Sequence, residues 1–211
     1  MIRSRIFWAG VLGCGLAGCA RTGAPDKAAP SDNPSLRGSG QAAERSPAGA
    51  TPVKVDSDGP VEVEETKWPN GNLQSRTEGK KDADGEFIRH GTSTAWYENG
   101  QKKSEQRFTD GVPNGPRTTW YIEGRKWTEG QYVDGLEDGT WRAWYADGTP
   151  QTEWTMARGV WHGLYTEWHT NGKKRLEVEF VQGKRQGPVT TWDEQGVVVF
   201  RSDYVDGVEQ P

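Results

Sequence analysis

Glu105, Glu129, Glu153 and Glu177 stand 24 residues apart. Carboxylates can hold cations, move protons or meet a basic partner, and acid–base catalysis wants two of them in different environments. These four occupy equivalent places, so the spacing predicts a ladder on one polar face, with rungs roughly 10 Å apart. Such a ladder is either an acidic strip for a basic partner or a row satisfied by cross-strand pairing with Thr118, Arg142, Thr166 or nearby lysines. Pairing is the simpler expectation. Trp96, Trp120, Trp144, Trp168 and Trp192 share the same period. They could stack against an extended cell-wall glycan, but packing inside the protein is the more ordinary use of such rings. The spacing leaves open which face Trp120 takes relative to Glu129.

Other chemistry-bearing residues offer less. His162 and His169 flank Tyr165 and Glu167, and His169 holds the place of Tyr121 and Tyr145, so it reads as a variant aromatic rather than a ligand. Asp82-Ala83-Asp84-Gly85 and Asp56-Ser57-Asp58-Gly59 have calcium-loop spacing, but Lys80 and Lys54 stand where the first ligand would be. Asp82 to Glu86 are expected to form a turn tip. Gly13, Gly15 and Gly18 match G-x-G-x-x-G only within an apolar leader. No H-E-x-x-H, G-x-S-x-G, P-loop or Cys-His arrangement occurs. The expectation is a non-enzymatic chain with no metal and no cofactor.

The elements that must carry these residues are strands. The 211 residues include 28 Gly and 11 Trp but only seven Leu and four Ile, with a mean hydropathy of −0.89. Helical and doubly wound folds bury aliphatic side chains in bulk, so this composition argues against both. Three glycine series keep the 24-residue period: Gly100, Gly124, Gly148, Gly172 and Gly196; Gly111, Gly135, Gly159, Gly183 and Gly207; and Gly91, Gly115, Gly139, Gly163 and Gly187. Asn99-Gly100, Asp147-Gly148 and Asn171-Gly172 read as hairpin turns with positive φ at both positions. Asp110-Gly111, Asp134-Gly135 and Asp206-Gly207 mark a second turn, expected to run through G-x-x-x-G to Gly115 and its equivalents. Between them Leu176-Glu177-Val178-Glu179-Phe180 alternates with period two. An aromatic slot holds Phe108, Tyr132, Phe180 and Tyr204, with Met156 as the exception.

The motif Trp96-Tyr97-Glu98-Asn99-Gly100, Glu105, Phe108, Asp110-Gly111…Gly115 resembles the MORN repeat variant, as found in the YwqK-like antitoxin family. The resemblance spans about Trp68 to Gly207 and implies an all-β fold, an elongated array of antiparallel β-hairpins with a 24-residue period. It further implies a protein-binding or scaffolding module, or an antitoxin that neutralises the toxin of a toxin–antitoxin system. About eleven strands are expected, forming a ribbon roughly 50 Å long. Trp68-Pro69-Asn70-Gly71 looks like a degenerate first turn, and Trp192-Asp193 and Arg201 mark an atypical last unit, as a capped array requires.

The N-terminus reads as an address. Arg3 and Arg5 precede an apolar stretch ending in Leu16-Ala17-Gly18-Cys19, which resembles the lipobox of bacterial lipoproteins. The resemblance implies a signal peptide at 1–18 and lipid on Cys19, hence a membrane anchor. Ala20 resembles an outer-membrane sorting signal in a two-membrane cell envelope, on the periplasmic or surface face. Residues 19–60 lack aromatics, are rich in Pro, Ala, Ser and Gly, and are expected to form a disordered tether. The repeat domain then occupies 61–211, with regular units at about 96–207. Without Arg3 and Arg5, 24 basic residues face 30 acidic ones, which disfavours nucleic acid as a partner. A protein partner is the leading expectation, and a structural or glycan-binding envelope role is the alternative.

Overall fold

The computed structural model describes residues 59–211. The signal peptide, Cys19 and all but the last two residues of the tether lie outside the described residues.

The described chain is one antiparallel sheet. Its strands are β1 (Glu62–Lys67), β2 (Leu73–Lys81), β3 (Phe87–Trp96), β4 (Lys102–Thr109), β5 (Val112–Trp120), β6 (Lys126–Val133) and β7 (Leu136–Trp144). There follow β8 (Pro150–Ala157), β9 (Val160–Trp161), β10 (Gly163–Trp168), β11 (Lys174–Val181), β12 (Lys184–Trp192), β13 (Val198–Val205) and β14 (Val208–Glu209). Each strand pairs with its sequence neighbours, and β9 and β10 together make one return strand beside β8, broken at His162. The all-β hairpin array is therefore as expected. It has fourteen strands rather than about eleven, because β1 and β14 extend its two ends and one return strand is split.

Period-two alternation produces the two faces. In β11, Leu176, Val178 and Phe180 are buried while Glu179 is exposed. Gly91, Gly115, Gly139, Gly163 and Gly187 lie opposite Phe108, Tyr132, Met156, Phe180 and Tyr204. All five have φ between 71° and 113°, a backbone conformation that glycine adopts at no steric cost, so the backbone rather than the paired side chain accounts for the series.

The turn assignments need correcting. Asp110, Asp134, Arg158, Gln182 and Asp206 have φ near +50°, and the glycine after each is also positive. With Thr109 paired to Val112, this is the two-residue hairpin turn that requires two positive φ values. Gly115 is no part of it and sits within β5, at a bulge where the register shifts between Gln106 and Phe108. Asn99, Asp147 and Asn171 are absent from the positive-φ residues. At their turns the Gly100 N–H donates to the Tyr97 carbonyl and the Tyr97 N–H to the Gln101 carbonyl. Only glycine is left-handed there, the pattern of a three-residue loop closed by a glycine bulge. Asn99 serves that loop through its side chain, whose Oδ1 accepts from the Gln101 N–H at 3.0 Å.

Units are also zipped to one another along both sides. On one side the Gly111, Gly135, Gly159, Gly183 and Gly207 N–H groups donate to the carbonyls of Arg89, Pro113, Glu137, Trp161 and Arg185. On the other, the Tyr97, Tyr121 and Tyr145 hydroxyls donate to the carbonyls of Trp120, Trp144 and Trp168. Trp68 Nε1–H does the same to Trp96, which makes its turn a true first unit rather than a remnant. Asp82 Oδ1 accepts from the Asp84 and Glu86 N–H groups, forming the expected tip of the longer first hairpin.

Candidate functional site

The glutamate ladder lies in one straight row across the sheet. Successive pairings run Glu65, Arg76, Thr94, Glu105, Thr118, Glu129, Arg142, Glu153, Thr166, Glu177, Thr190, Arg201. Lys102 binds Glu105 and Lys126 binds Glu129, each at 2.7 Å, and Lys174 binds Glu177. Arg142 sits between Glu129 at 4.0 Å and Glu153 at 2.7 Å. Every ladder carboxylate is thus ion-paired, and all four remain partly exposed, so each pair contributes at most about 1 kcal/mol.

The face of the tryptophans follows from the same contacts. Thr118 belongs to the glutamate row and Trp120 stands two residues on, hence on the same side. Lys102 Nζ, bound to Glu105, also lies 5.6 Å from the Trp120 ring centre. Lys174 bridges Glu177 and the Trp192 ring in the same way, at 5.9 Å from the ring centre. Trp96, Trp120, Trp144, Trp168 and Trp192 are half-buried, none fully. Gly100, Gly124, Gly148, Gly172 and Gly196 close the three-residue loops that follow them, all with positive φ. One side of the sheet therefore repeats a carboxylate, a cation and an indole at successive units.

The opposite side holds what the spacing did not reveal. Four further tryptophans, Trp127, Trp141, Trp154 and Trp161, fall outside the 24-residue series. Trp141 stacks on Trp154 at 5.9 Å and 17°, Tyr132 meets Trp141 edge-on at 5.3 Å, and Trp161 packs on Phe180 at 5.4 Å. Gly130 makes this possible, since a Cβ there would lie 2.1 Å from Cδ2 of Trp141. Beside this row, Glu167 is only 3% exposed. It accepts from the Tyr165 hydroxyl at 2.5 Å and from Arg175 Nη1 at 2.6 Å. Equivalent positions hold Ala95, Thr119, Ala143 and Thr191, so the carboxylate breaks the repeat. Aligning the units column by column would have exposed it.

Electrostatics agree with these placements. Burial pushes the Tyr145 phenol above its ordinary value, with Arg175 opposing and Glu167 and Asp147 adding, which keeps it a neutral donor to Trp168. Burial also raises Glu137, against the Tyr132 hydrogen bond and Arg117. His169 Nε2 lies 2.8 Å from the Trp192 carbonyl and must carry the proton there, doing the work of Tyr121 and Tyr145. The His162 side chain is exposed, and its backbone N–H donates to the Thr155 carbonyl. Among the described residues no cluster of His, Cys, Asp and Glu is placed to hold a metal ion.

Comparison with known families supports the repeat itself. No curated protein matches the chain. The family model described as the MORN repeat variant matches residues 89–110 and 161–182. The two segments begin three whole periods apart, and each runs from a return strand through the Trp-bearing loop to the left-handed residue of the next turn, Asp110 or Gln182. Two units of this array are thus similar to the MORN repeat variant, in register with one another.

Proposed function

We propose that this chain is a non-enzymatic, membrane-anchored lipoprotein whose hairpin array is a protein-binding or scaffolding module of the cell envelope. The observation carrying the binding half is the face on which Glu, Lys or Arg, and Trp recur at successive units of one sheet. Equivalent copies at fixed spacing suit an extended partner that engages several at once. A catalytic centre instead needs one convergent constellation. The anchoring half rests on Arg3, Arg5 and Leu16-Ala17-Gly18-Cys19.

The test compares the chain with a variant carrying Glu105→Gln, Glu129→Gln, Glu153→Gln and Glu177→Gln, both as baits in detergent-solubilised host envelope. One protein held near one-to-one by the first and lost by the second, with both folded by circular dichroism, is the expected result. Equal recovery by both, or wall fragments alone, would overturn the protein-binding reading. The identity of the captured material separates a toxin, which would make this an antitoxin, from an assembly partner or a glycan. Cys19→Ser should abolish incorporation of labelled fatty acid and release the chain from the membrane fraction.

A further inference from the structure

We propose that the array joins end to end with copies of itself, the outer edge of β13 of one molecule pairing with β1 of the next. This goes beyond the reading above and does not depend on the identity of any partner. Strands alternate between outgoing (β2, β4, β6, β8, β11, β13) and return types. β1 has return-type register: Glu65↔Arg76 and Thr66↔Ser75, then a shift before Lys67, match Thr94↔Glu105 and Ala95↔Ser104, then a shift before Trp96. β13 is outgoing; β14 pairs with it at Tyr204 and Val205, and the Gln210 N–H donates to the Asp203 carbonyl. From Val198 to Ser202 its outer backbone has no strand beside it among the described residues, and Val198 and Val199 are 51% and 63% exposed there. One end of the sheet thus lacks the kind of strand that the other end presents.

Charge selects the same register. The internal pairing Glu105↔Thr118, carried across the junction, sets Arg201 against Glu65 of the second copy, with Phe200 against Thr66. Outgoing strands hold Glu in this row at four internal units and Arg only at the two ends, Arg76 and Arg201. Return strands hold Thr except at Arg142 and Glu65. Arg142 already sits between Glu129 and Glu153. A junction would place Glu65 between Arg201 and Arg76, the same triad with every sign reversed, and Glu65 reaches Arg76 at 3.9 Å within its own chain. Symmetric pairing is disfavoured: β13 on β13 would oppose arginines, and β1 on β1 would bring together Glu62, Glu64 and Glu65. A head-to-tail contact repeats without closing, so the assembly grows into a chain.

Sedimentation of the full chain in mild detergent, from about 1 to 100 µM, tests this across the usual range of modest affinities. Mass should rise with concentration past the dimer and fall with added salt. Arg201→Glu and Glu65→Arg should each weaken association at least about tenfold, since each opposes like charges at the junction. Mixing the two variants, or combining both changes in one chain, should restore it. A monomer throughout, a mass that stops at the dimer, or a double variant no better than the singles would overturn the proposal.

Discussion

Gly130 and Trp141 explain each other at the scale of single residues. Neither belongs to a 24-residue series, and the ring lies where a side chain at 130 would be. Gly130→Ala should therefore cost about 1–3 kcal/mol through overpacking, read by urea denaturation. At Gly172 a Cβ would meet nothing, so Gly172→Ala should cost only the left-handed backbone strain of about 1–2 kcal/mol. In a Trp141→Val background Gly130→Ala should cost much less than in the native chain, while the cost of Gly172→Ala should be unchanged. Glu167 makes a different prediction. Its carboxylate is buried while the Arg175 side chain is 35% exposed, so Glu167→Ala removes the carboxylate from a cation that water can reach. The expected loss is about 2 kcal/mol, below that of a wholly buried pair. Arg175→Ala should cost more in the native chain than in the Glu167→Ala background, and equal costs would show the two residues to be uncoupled. The sequence concealed this cluster because a period is noticed through what recurs, whereas these residues are the ones that do not.

Turn chemistry decides events at the scale of the strand and its connections. The sequence made both turns legible, because a small polar residue before Gly marks a reversal. It did not distinguish them: Asn-Gly serves the two-residue turn through two positive φ values and the three-residue loop through a glycine bulge. What separates the two is the neighbour across the array. Asn99 Nδ2 donates to the Ile122 carbonyl and Asn171 Nδ2 to the Glu194 carbonyl, so these side chains tie each loop to the next unit. The slot that opens each three-residue loop follows the same logic in every unit but the last, which has Asp193. Trp68, Tyr121 and His169 differ in shape, but each carries a ring hydrogen-bond donor to a tryptophan carbonyl. Two two-residue turns are filled poorly: Arg158 and Gln182 adopt φ of 49° and 50°, a conformation suited to Asn or Asp. Arg158→Asn should raise stability by about 0.5–1 kcal/mol, with a higher denaturation midpoint at unchanged m-value. A lower midpoint would mean that the arginine side chain contributes more than its backbone costs.

The whole array is quasi-one-dimensional, since each hairpin touches mainly its neighbours and its stability is the sum of local terms. Those terms are unequal. Trp141, Tyr165, Leu176, Val178, Phe180 and Val189 are buried between β7 and β12, whereas every residue of β1 is exposed. The buried positions of β2 and β3 are Gly79, Lys80 and Thr94, none of them a hydrophobic core side chain. Hydrogen exchange should therefore be slowest from β7 to β12 and fastest in β1 and β14, with a gradient rather than a single opening step. Removal of residues 96–119 provides the sharper test. The deletion spans one full period, so Trp120 takes the place of Trp96 and every slot, pairing row and loop bond is regenerated. The shortened chain should fold with two strands fewer and a proportionally smaller m-value, while exchange from β7 to β12 is almost unchanged. Uniform exchange in the parent, or loss of folding in the deletion, would show that the packing around Trp141 and Glu167 ties distant units into one cooperative body.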